Sequence, residues 1–150
     1  MSTNSLVLEG NITQDPELRF GKNGGTPFVT FGIAHTPRRR NHAGEWEDGT
    51  TTFLDVIAFG RTAENVAESF SKGERVVVVG SLTTDEWTNN EGERRTKIKV
   101  NADSVSGSTR FSIVTMRKDD PSQLTDEELN AEITRRLKEF RDATPEPEAD

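Results

Sequence analysis

Three consecutive arginines, Arg38, Arg39 and Arg40, lie in the stretch TPRRRNHAGEW, close to Gly44 and Trp46. Guanidinium groups in an irregular, solvent-facing loop bind anions and stack on flat rings. The stretch therefore predicts contact with a partner that is anionic, planar or both.

Aromatic side chains fall at polar positions of two further stretches. Phe53 and Phe59 lie on the face of TTFLDVIAF opposite its aliphatic residues, and Trp87 lies in the polar run TTDEWTNNEG. Exposed rings bordered by cations suit single-stranded nucleic acid, because bases stack on rings at roughly 1 to 3 kcal/mol each and guanidinium groups bind phosphates. The neighbouring cations are Arg61, Arg94, Arg95 and Lys97.

Each feature also has an explanation without nucleic acid. Phe53 and Phe59 could lie between subunits, Trp87 could brace a hairpin, and the arginine run could be a solvated loop. An interface alone has no need of arginines beside an aromatic face, so their combination favours nucleic acid.

The sequence patterns of common catalytic sites are missing. It contains no cysteine and two histidines, His35 and His42, and it lacks the metalloprotease, serine-hydrolase and P-loop patterns. The adjacent acids Asp85 and Glu86 are expected by chance among 26 acidic residues. We therefore predict that the protein is not an enzyme and has no metal site or cofactor.

The acidic charge is concentrated at one end of the chain. Its formal net charge is -7; residues 1–118 contain 15 basic and 15 acidic residues, and residues 119–150 contain 4 and 11. We predict a binding domain over 1–118 and an acidic tail over 119–150. No apolar run approaches the ~20 residues of a membrane span, and the start lacks the features of a signal peptide, so we expect a cytoplasmic protein without membrane contact.

The body predicts an all-β barrel. Alternating residues predict strands at about 6–12, 29–33 and 51–59, and two more in ERVVVVGSLTT and RRTKIKVNADSV, with a helix in GRTAENVAESFSKG. Five strands with one helix between the third and fourth are the layout of an OB-fold, a Greek-key barrel. We also predict an extra C-terminal strand in TRFSIVTM, residues 109–116.

The tail predicts a helix at about residues 125–141. Thr125 and Glu128 form a capping box, and basic residues concentrate toward the end. Its narrow apolar stripe consists of Leu129, Ile133, Leu137 and Phe140. Because a lone helix of this length is marginal in water, we expect the stripe to dock on the body, on another subunit or on a partner.

Several motifs together resemble one known family. GNITQDPELRF, NGG, FLDVIAFGRTAENV and KGERVVVVGSLTTDEWTNNEGERR, within residues 4–106, are similar to the bacterial single-stranded DNA-binding proteins, and TPRRRNHAGEWEDG looks more like their actinobacterial or actinophage branch. The resemblance implies an OB-fold that assembles as a homotetramer. It also implies binding of single-stranded DNA without sequence preference in replication, recombination and repair.

The resemblance also assigns site residues. The family's stacking and basic positions fall on Phe53, Phe59, Trp87, Arg61 and Lys72. A further aromatic position falls on Arg39, where a guanidinium plane would replace a ring, and Trp46 across the same loop would supply the missing aromatic.

Three departures from the family pattern lead to further expectations. Asp55 and the pair Asp85-Glu86 stand where the family often has basic residues. We therefore expect a less positive groove, with weaker binding or a shallower salt dependence. The family's acidic tail commonly ends in a Pro-Phe tip that recruits replication and repair enzymes, whereas this sequence ends in TPEPEAD. We therefore expect the 125–141 helix to contact such a partner, or its own oligomer.

Two other classes of function stay open. One is an OB-fold module whose aromatic face binds protein in a primosome-like assembly, and the other is an accessory to a nuclease or ligase. The occurrence of Arg38 to Arg40 together with exposed rings favours a non-enzymatic protein that binds single-stranded DNA.

Overall fold

The computed structural model of the chain describes residues 4–119 and 126–143. They belong to two compact units, Met1–Thr115 and Met116–Asp150. The elements are, in chain order, β1 (Ser5–Ile12), β2 (Glu17–Phe20), β3 (Pro27–His35), β4 (Arg38–Arg40), β5 (Trp46–Asp48), β6 (Thr52–Phe59), α1 (Gly60–Ser69), β7 (Arg75–Thr88), β8 (Arg94–Gly107) and α2 (Asp126–Ala143).

Five of the strands close into a barrel. The antiparallel pairs are β1 with β7, β7 with β8, and β3 with β6, while β6 and β8 run parallel. β1 returns to β3 at Asn11 and Ile12, which closes the circuit. With α1 between the third and fourth barrel strands, this is the predicted OB-fold, and β2 adds a short strand alongside β3.

Alternate residues of the barrel strands fill its interior. β-Branched and aromatic side chains suit such strands, because they pack well on a pleated surface that is half buried. The largest fully buried side chains are Phe31, Ile12, Ile33, Val29, Val56, Val76, Val78 and Val100. Helix α1 adds Ala63 and Val66 to this core, and both are buried.

Strands β7 and β8 continue past the barrel as a two-stranded ribbon. Their ladder reaches Thr88 opposite Arg94, whereas the pairing of β8 with β6 begins only at Lys99. A register irregularity follows Val79, and a Cβ on the next residue, Gly80, would overlap the carbonyl group of Asn101. The glycine therefore allows the two backbones to approach where the ladder changes register.

A second ribbon, β4–β5, stands where the sequence analysis assumed an irregular loop. It continues the β3–β6 pair: the hydroxyl oxygens of Thr36 and Thr51 lie 2.6 Å apart, and the amide of Gly49 donates to the carbonyl of Pro37 at 2.7 Å. The three-residue strands are too short for an alternation pattern to reveal them.

The extra strand predicted at residues 109–116 is wrong. These residues lie within the described range and form no strand. The β7–β8 ladder ends with Gly107 opposite Val76, and the amide of Ser108 makes the last bond, to the carbonyl of Arg75 at 2.9 Å. Because β7 begins at Arg75, the residues after Ser108 have no further β7 residue to pair with.

Helix α2 occupies nearly the predicted range. The side chains of Ile133 and Leu137 are exposed on it. The side chains of Leu129 and Phe140, the predicted cap Thr125 and the terminal TPEPEAD lie outside the described residues. Within the part of the chain that the structure describes, neither helix is both long and apolar enough to cross a membrane.

A polar cluster fastens the residues after β8 to the barrel. Glu9 Oε1 accepts hydrogen bonds from Arg75 Nε at 2.8 Å and from Ser108 Oγ at 2.5 Å, and Arg110 Nη1 lies 3.6 Å from Glu9 Oε2. The guanidinium of Arg75 also lies 5.6 Å from the centroid of the Phe111 ring. The hydrogen bonds from Ser108 and Arg75 lower the pKa of Glu9 from its ordinary value of 4.5.

The lowered pKa of Glu9 makes the stability of the fold depend on pH. Such a carboxyl stabilises the folded state above its unfolded pKa, and this contribution is lost as the pH falls through the folded pKa. We expect Glu9→Gln to be less stable than the parent protein at neutral pH, with the difference shrinking in acid. Urea unfolding between about pH 7 and about pH 3 measures this. Glu17→Gln, at an exposed ion pair with a 3.9 Å separation, is the control, and a difference independent of pH would contradict the expectation.

Candidate nucleic-acid interface

One outer face of the barrel runs across β3, β6, β8 and β7. Val56 and Ala58 of β6 are buried in the barrel, so Phe53, Asp55 and Phe59, which alternate with them along the strand, point outward. Ile57 points the same way but is only 9% exposed. The register carries this face onto the neighbouring strands. Its members, which we call the outer face, are Phe28, Phe53, Asp55, Phe59, Asp85, Trp87, Arg95, Lys97 and Lys99.

Aromatic rings are exposed along the outer face. Phe53 is 69% exposed, Phe59 47% and Trp87 48%. Phe53 and Phe59 are separated by about 20 Å along β6 at ~3.3 Å per residue, so they cannot stack on the same base. The three rings therefore provide separate stacking positions for different bases.

Phe28 is a site residue that the sequence analysis missed. It stands directly opposite Phe59 in the register, and the two ring centroids lie 6.4 Å apart at an interplanar angle of 43°. Phe28 lies in the apolar run PFVTFGIAH, where it looks like a core residue. The available signal was the alternation itself, because Phe28 is out of phase with the buried Val29 and Phe31.

Both ribbons extend from the same end of the outer face. At that end β3 finishes and β6 starts, with His35 opposite Thr52, and the β4–β5 ribbon continues from them. β8 runs parallel to β6, so the first residues of β8 extend past the same end together with β7. Each ribbon carries an exposed tryptophan, Trp46 on one and Trp87 on the other.

The two ribbon tips have the same construction. In the first tip, NHAGE, Asn41 Oδ1 accepts the amides of Ala43 and Glu45, both at 3.0 Å. The second tip, NNEGE, repeats these bonds with Asn89 Oδ1, at 3.0 and 2.9 Å. The glycine in the fourth place of each tip has a left-handed φ, 80° in the first and 79° in the second. The pattern Asn-x-x-Gly-Glu therefore builds both tips.

The arginine run forms strand β4, and each arginine meets a residue of β5. The guanidinium of Arg40 lies 5.2 Å from the centroid of the Trp46 ring. Arg39 Nε lies 3.0 Å from Glu47 Oε1, and Arg38 Nε lies 3.6 Å from Asp48 Oδ1. The opening stretch is thus an ordered ribbon with a cation stacked on an indole.

Four charged side chains occupy the middle of the outer face. Lys97 Nζ pairs with Asp55 Oδ2, and Lys99 Nζ lies 2.6 Å from Asp85 Oδ2. The hydrogen bond to Asp55 and the charge of Asp55 raise the pKa of Lys97. We call these four residues the charge square; its two lysines and two aspartates carry no net charge.

Comparison with known proteins identifies the family. Residues 3–108 match the profile of the Single-strand binding protein family. The chain belongs to this family. The matched range contains the barrel, the outer face and both ribbons, whereas helix α2 lies beyond it.

Relatives in the single-strand binding protein family come from actinobacteria, as the arginine stretch had indicated. The single-stranded DNA-binding protein of Mycobacterium leprae is 40% identical over 115 residues, which are 76% of this chain and 68% of that protein. The protein of the same name from Corynebacterium glutamicum is 45% identical over 109 residues, which are 72% of this chain and 48% of that protein. This chain therefore matches only about half of the Corynebacterium protein.

Solved structures of single-strand binding proteins share the fold. The small single-stranded DNA-binding protein of Streptomyces coelicolor has a TM-score of 0.60 and 29% identity, covering 73% of this chain and 97% of the other. A Plasmodium falciparum SSB complex with ssDNA has a TM-score of 0.60 and 23% identity, covering 71% and 93%. The family is one of binding proteins by its name, in agreement with the expectation of a protein that is not an enzyme.

The structure distributes the remaining predicted cations around the outer face. Arg95 lies on the outer face opposite Trp87 and 2.7 Å from Glu93, while Arg94 lies on the other side of the ribbon, 3.0 Å from Glu86. Arg94 is thus separated from the rings because adjacent residues of a strand point to opposite faces.

Arg61 and Lys72 lie toward the other end of the barrel. Arg61 is in the first turn of α1, with its Nη1 atom 3.3 Å from Glu64 Oε2. Lys72 lines an open polar groove with Arg19 and Thr30. No group of three or more metal-ligating side chains occurs among residues 4–119 and 126–143.

The shared tip construction leads to a test on the longer ribbon. We expect Asn89→Ala to speed amide hydrogen exchange at Glu91 and Glu93 by about tenfold, because the two lost hydrogen bonds contribute roughly 0.5 to 1.5 kcal/mol each. Asn90→Ala, at the exposed neighbouring residue, is the matched control. Equal exchange in the two variants would show that the Asn89 side chain does not hold the tip.

Proposed function

We propose that this protein binds single-stranded DNA without sequence preference and protects and organises it during replication, recombination and repair. The observation that carries the proposal is the placement of Phe53, Phe59 and Trp87, all exposed, on one face of the barrel. The unpaired bases of a single strand can stack on such rings, whereas the bases of a duplex are already stacked on each other. The names of the actinobacterial relatives support the same function.

The cations around the rings would follow the DNA backbone. Arg38 and Arg39 are largely exposed, and their carboxylate partners lie on the ribbon surface. Exposed ion pairs contribute about 0 to 1 kcal/mol, so a phosphate can replace a carboxylate partner at small cost. Arg40 and Trp46 together offer a cation and a ring at one place.

We propose further that the protein assembles as a homo-oligomer, with the tetramer as the expected state. Val7 of β1 and Val79 of β7 stand opposite each other, 69% and 41% exposed, and Val79 lies about 20 Å along β7 from Asp85 at ~3.3 Å per residue. Adjacent exposed valines on a sheet favour burial against another subunit. The pairing of β1 with β3 is also confined, within the described residues, to Asn11 and Ile12, which leaves room for a second chain along this strand.

We also propose that the acidic tail, from about residue 119, contacts a replication or repair protein in the cytoplasm. Helix α2 has exposed Ile133 and Leu137 one turn apart. These form part of the predicted apolar stripe, which supports a docking role for the helix.

The stacking proposal predicts a selective loss of affinity. We expect Phe53→Ala and Trp87→Ala each to weaken binding of a labelled oligo(dT) by about 5- to 150-fold, which corresponds to roughly 1 to 3 kcal/mol per stacked base. Fluorescence anisotropy at low and high salt, with duplex DNA alongside, measures this. Phe20→Ala is the matched control, because Phe20 is 54% exposed but lies on the other face of β2. Its neighbour Arg19 is the residue that stands opposite Phe28 and shares the outer face.

If all three variants bind oligo(dT) like the parent protein, the aromatic face does not bind single strands. The alternative, in which this face binds another protein, would then be favoured.

The oligomer proposal predicts a solution mass that is a multiple of 16.7 kDa. We expect Val7→Lys to lower this mass in light scattering, because a charge at the interface would be buried without a partner. Leu137→Lys tests helix α2 in the same way, and a loss of mass in that variant alone would assign the interface to the helix. A parent protein of 16.7 kDa would refute the proposal.

A further inference from the structure

The charge square lies where a bound strand would have to cross. Asp55 lies between Phe53 and Phe59 on β6, and Asp85 precedes Trp87 by two residues on β7. A single strand that reaches all three rings therefore has to cross β8, the strand between β6 and β7, and it passes close to Lys97 and Lys99. In this region the protein's own carboxylates already bind the cations.

Each lysine of the charge square is held between two aspartates. The register places Asp55 beside Lys99 and Asp85 opposite Lys97. The ion pairs instead follow the diagonals, Lys97 with Asp55 and Lys99 with Asp85. Each ammonium group is thus close to one aspartate through its ion pair and adjacent to the other through the sheet.

We propose that Asp55 and Asp85 compete with DNA phosphates for Lys97 and Lys99 and thereby limit the affinity for single strands. The proposal rests on the proposed function, since it concerns the strength of that same binding. A carboxylate and a phosphate bind the same donors of an ammonium group. A phosphate must therefore displace an aspartate, which then remains as a like charge beside the incoming DNA.

The exposure of the square makes this exchange feasible. The side chains of Lys97, Asp55 and Asp85 are 59%, 50% and 51% exposed, and that of Lys99 is 25% exposed. Solvent-exposed pairs are weak enough to open. The aspartates therefore attenuate binding without preventing it, and the rings supply much of the affinity.

This competition should make the affinity for single strands less dependent on salt concentration. Each phosphate contact with a single strand contributes about -0.7 to the slope of log affinity against log salt, because counterions are released from the DNA. When a lysine only exchanges one anion for another, the aspartate it leaves behind takes up a counterion. The two lysines then contribute little to the slope of the parent protein.

The test is a comparison of Asp55→Asn, Asp85→Asn and the double variant with the parent protein. We expect the double variant to bind oligo(dT) about tenfold more tightly at low salt, because a phosphate no longer has to displace an exposed carboxylate partner. We also expect its salt slope to be steeper by about 0.7 for each freed lysine. Glu74→Gln is the net-charge control for each single variant, because Glu74 is exposed and adjoins the opposite end of β7 from Asp85.

A second measurement tests the lysines directly. We expect Lys97→Gln to cost more affinity in the double aspartate background than in the parent protein, because a phosphate there reaches Lys97 without displacing a carboxylate. Thermal unfolding of each variant establishes that it is folded. Single aspartate variants that both bind like Glu74→Gln, or a double variant that binds no more tightly than the parent, would overturn the competition. If the parent protein itself does not bind oligo(dT), the proposed function fails instead.

Discussion

The burial of Val56 and Ala58 in a closed barrel fixes the direction of every side chain on β6, and β6 is central to the candidate interface. In a strand whose alternate residues fill a core, the others point to the opposite face of the sheet. Phe53, Asp55 and Phe59 therefore point outward because their neighbours are needed inside. The hydrogen-bonded register then transmits this orientation to β3 on one side and to β8 and β7 on the other. A shift by one residue would turn the rings into the core and expose the valines.

The sequence was sufficient to predict the barrel because alternation is a local signal. It predicted the strands, α1 and the outward direction of Phe53 and Phe59. The prediction was wrong at residues 109–116, which look like a strand in the sequence. Because β8 runs antiparallel to β7, its pairing ends at the first residue of β7, and residues 109–116 come after that point. The prediction also missed the β4–β5 ribbon, which depends on which residues meet across the sheet. Pairing between distant parts of the chain is invisible in a periodicity.

The candidate interface belongs to a body without net charge, and most of its cations are held in local ion pairs with carboxylates. The sequence indicated a less positive groove through Asp55, Asp85 and Glu86, and the structure places each beside a cation: Lys97, Lys99 and Arg94. The arginines of β4 likewise face β5, two of them paired with carboxylates and the third stacked on an indole. Which cation meets which anion could not be predicted from composition, because it follows from register. Affinity in such a surface depends on exchange between anions more than on total positive charge.

The two Asn-x-x-Gly-Glu tips have a consequence for the entropy of binding. A loop that must be ordered by its ligand loses conformational freedom at that moment, and the loss lowers the affinity. In this protein the asparagine side chains already hold both tips. On the proposed function, the ribbons that carry Trp46 and Trp87 would meet a strand in an ordered form, so more of the stacking energy would remain as affinity. Two short turns would thus influence how much of the tryptophans' stacking energy appears as affinity.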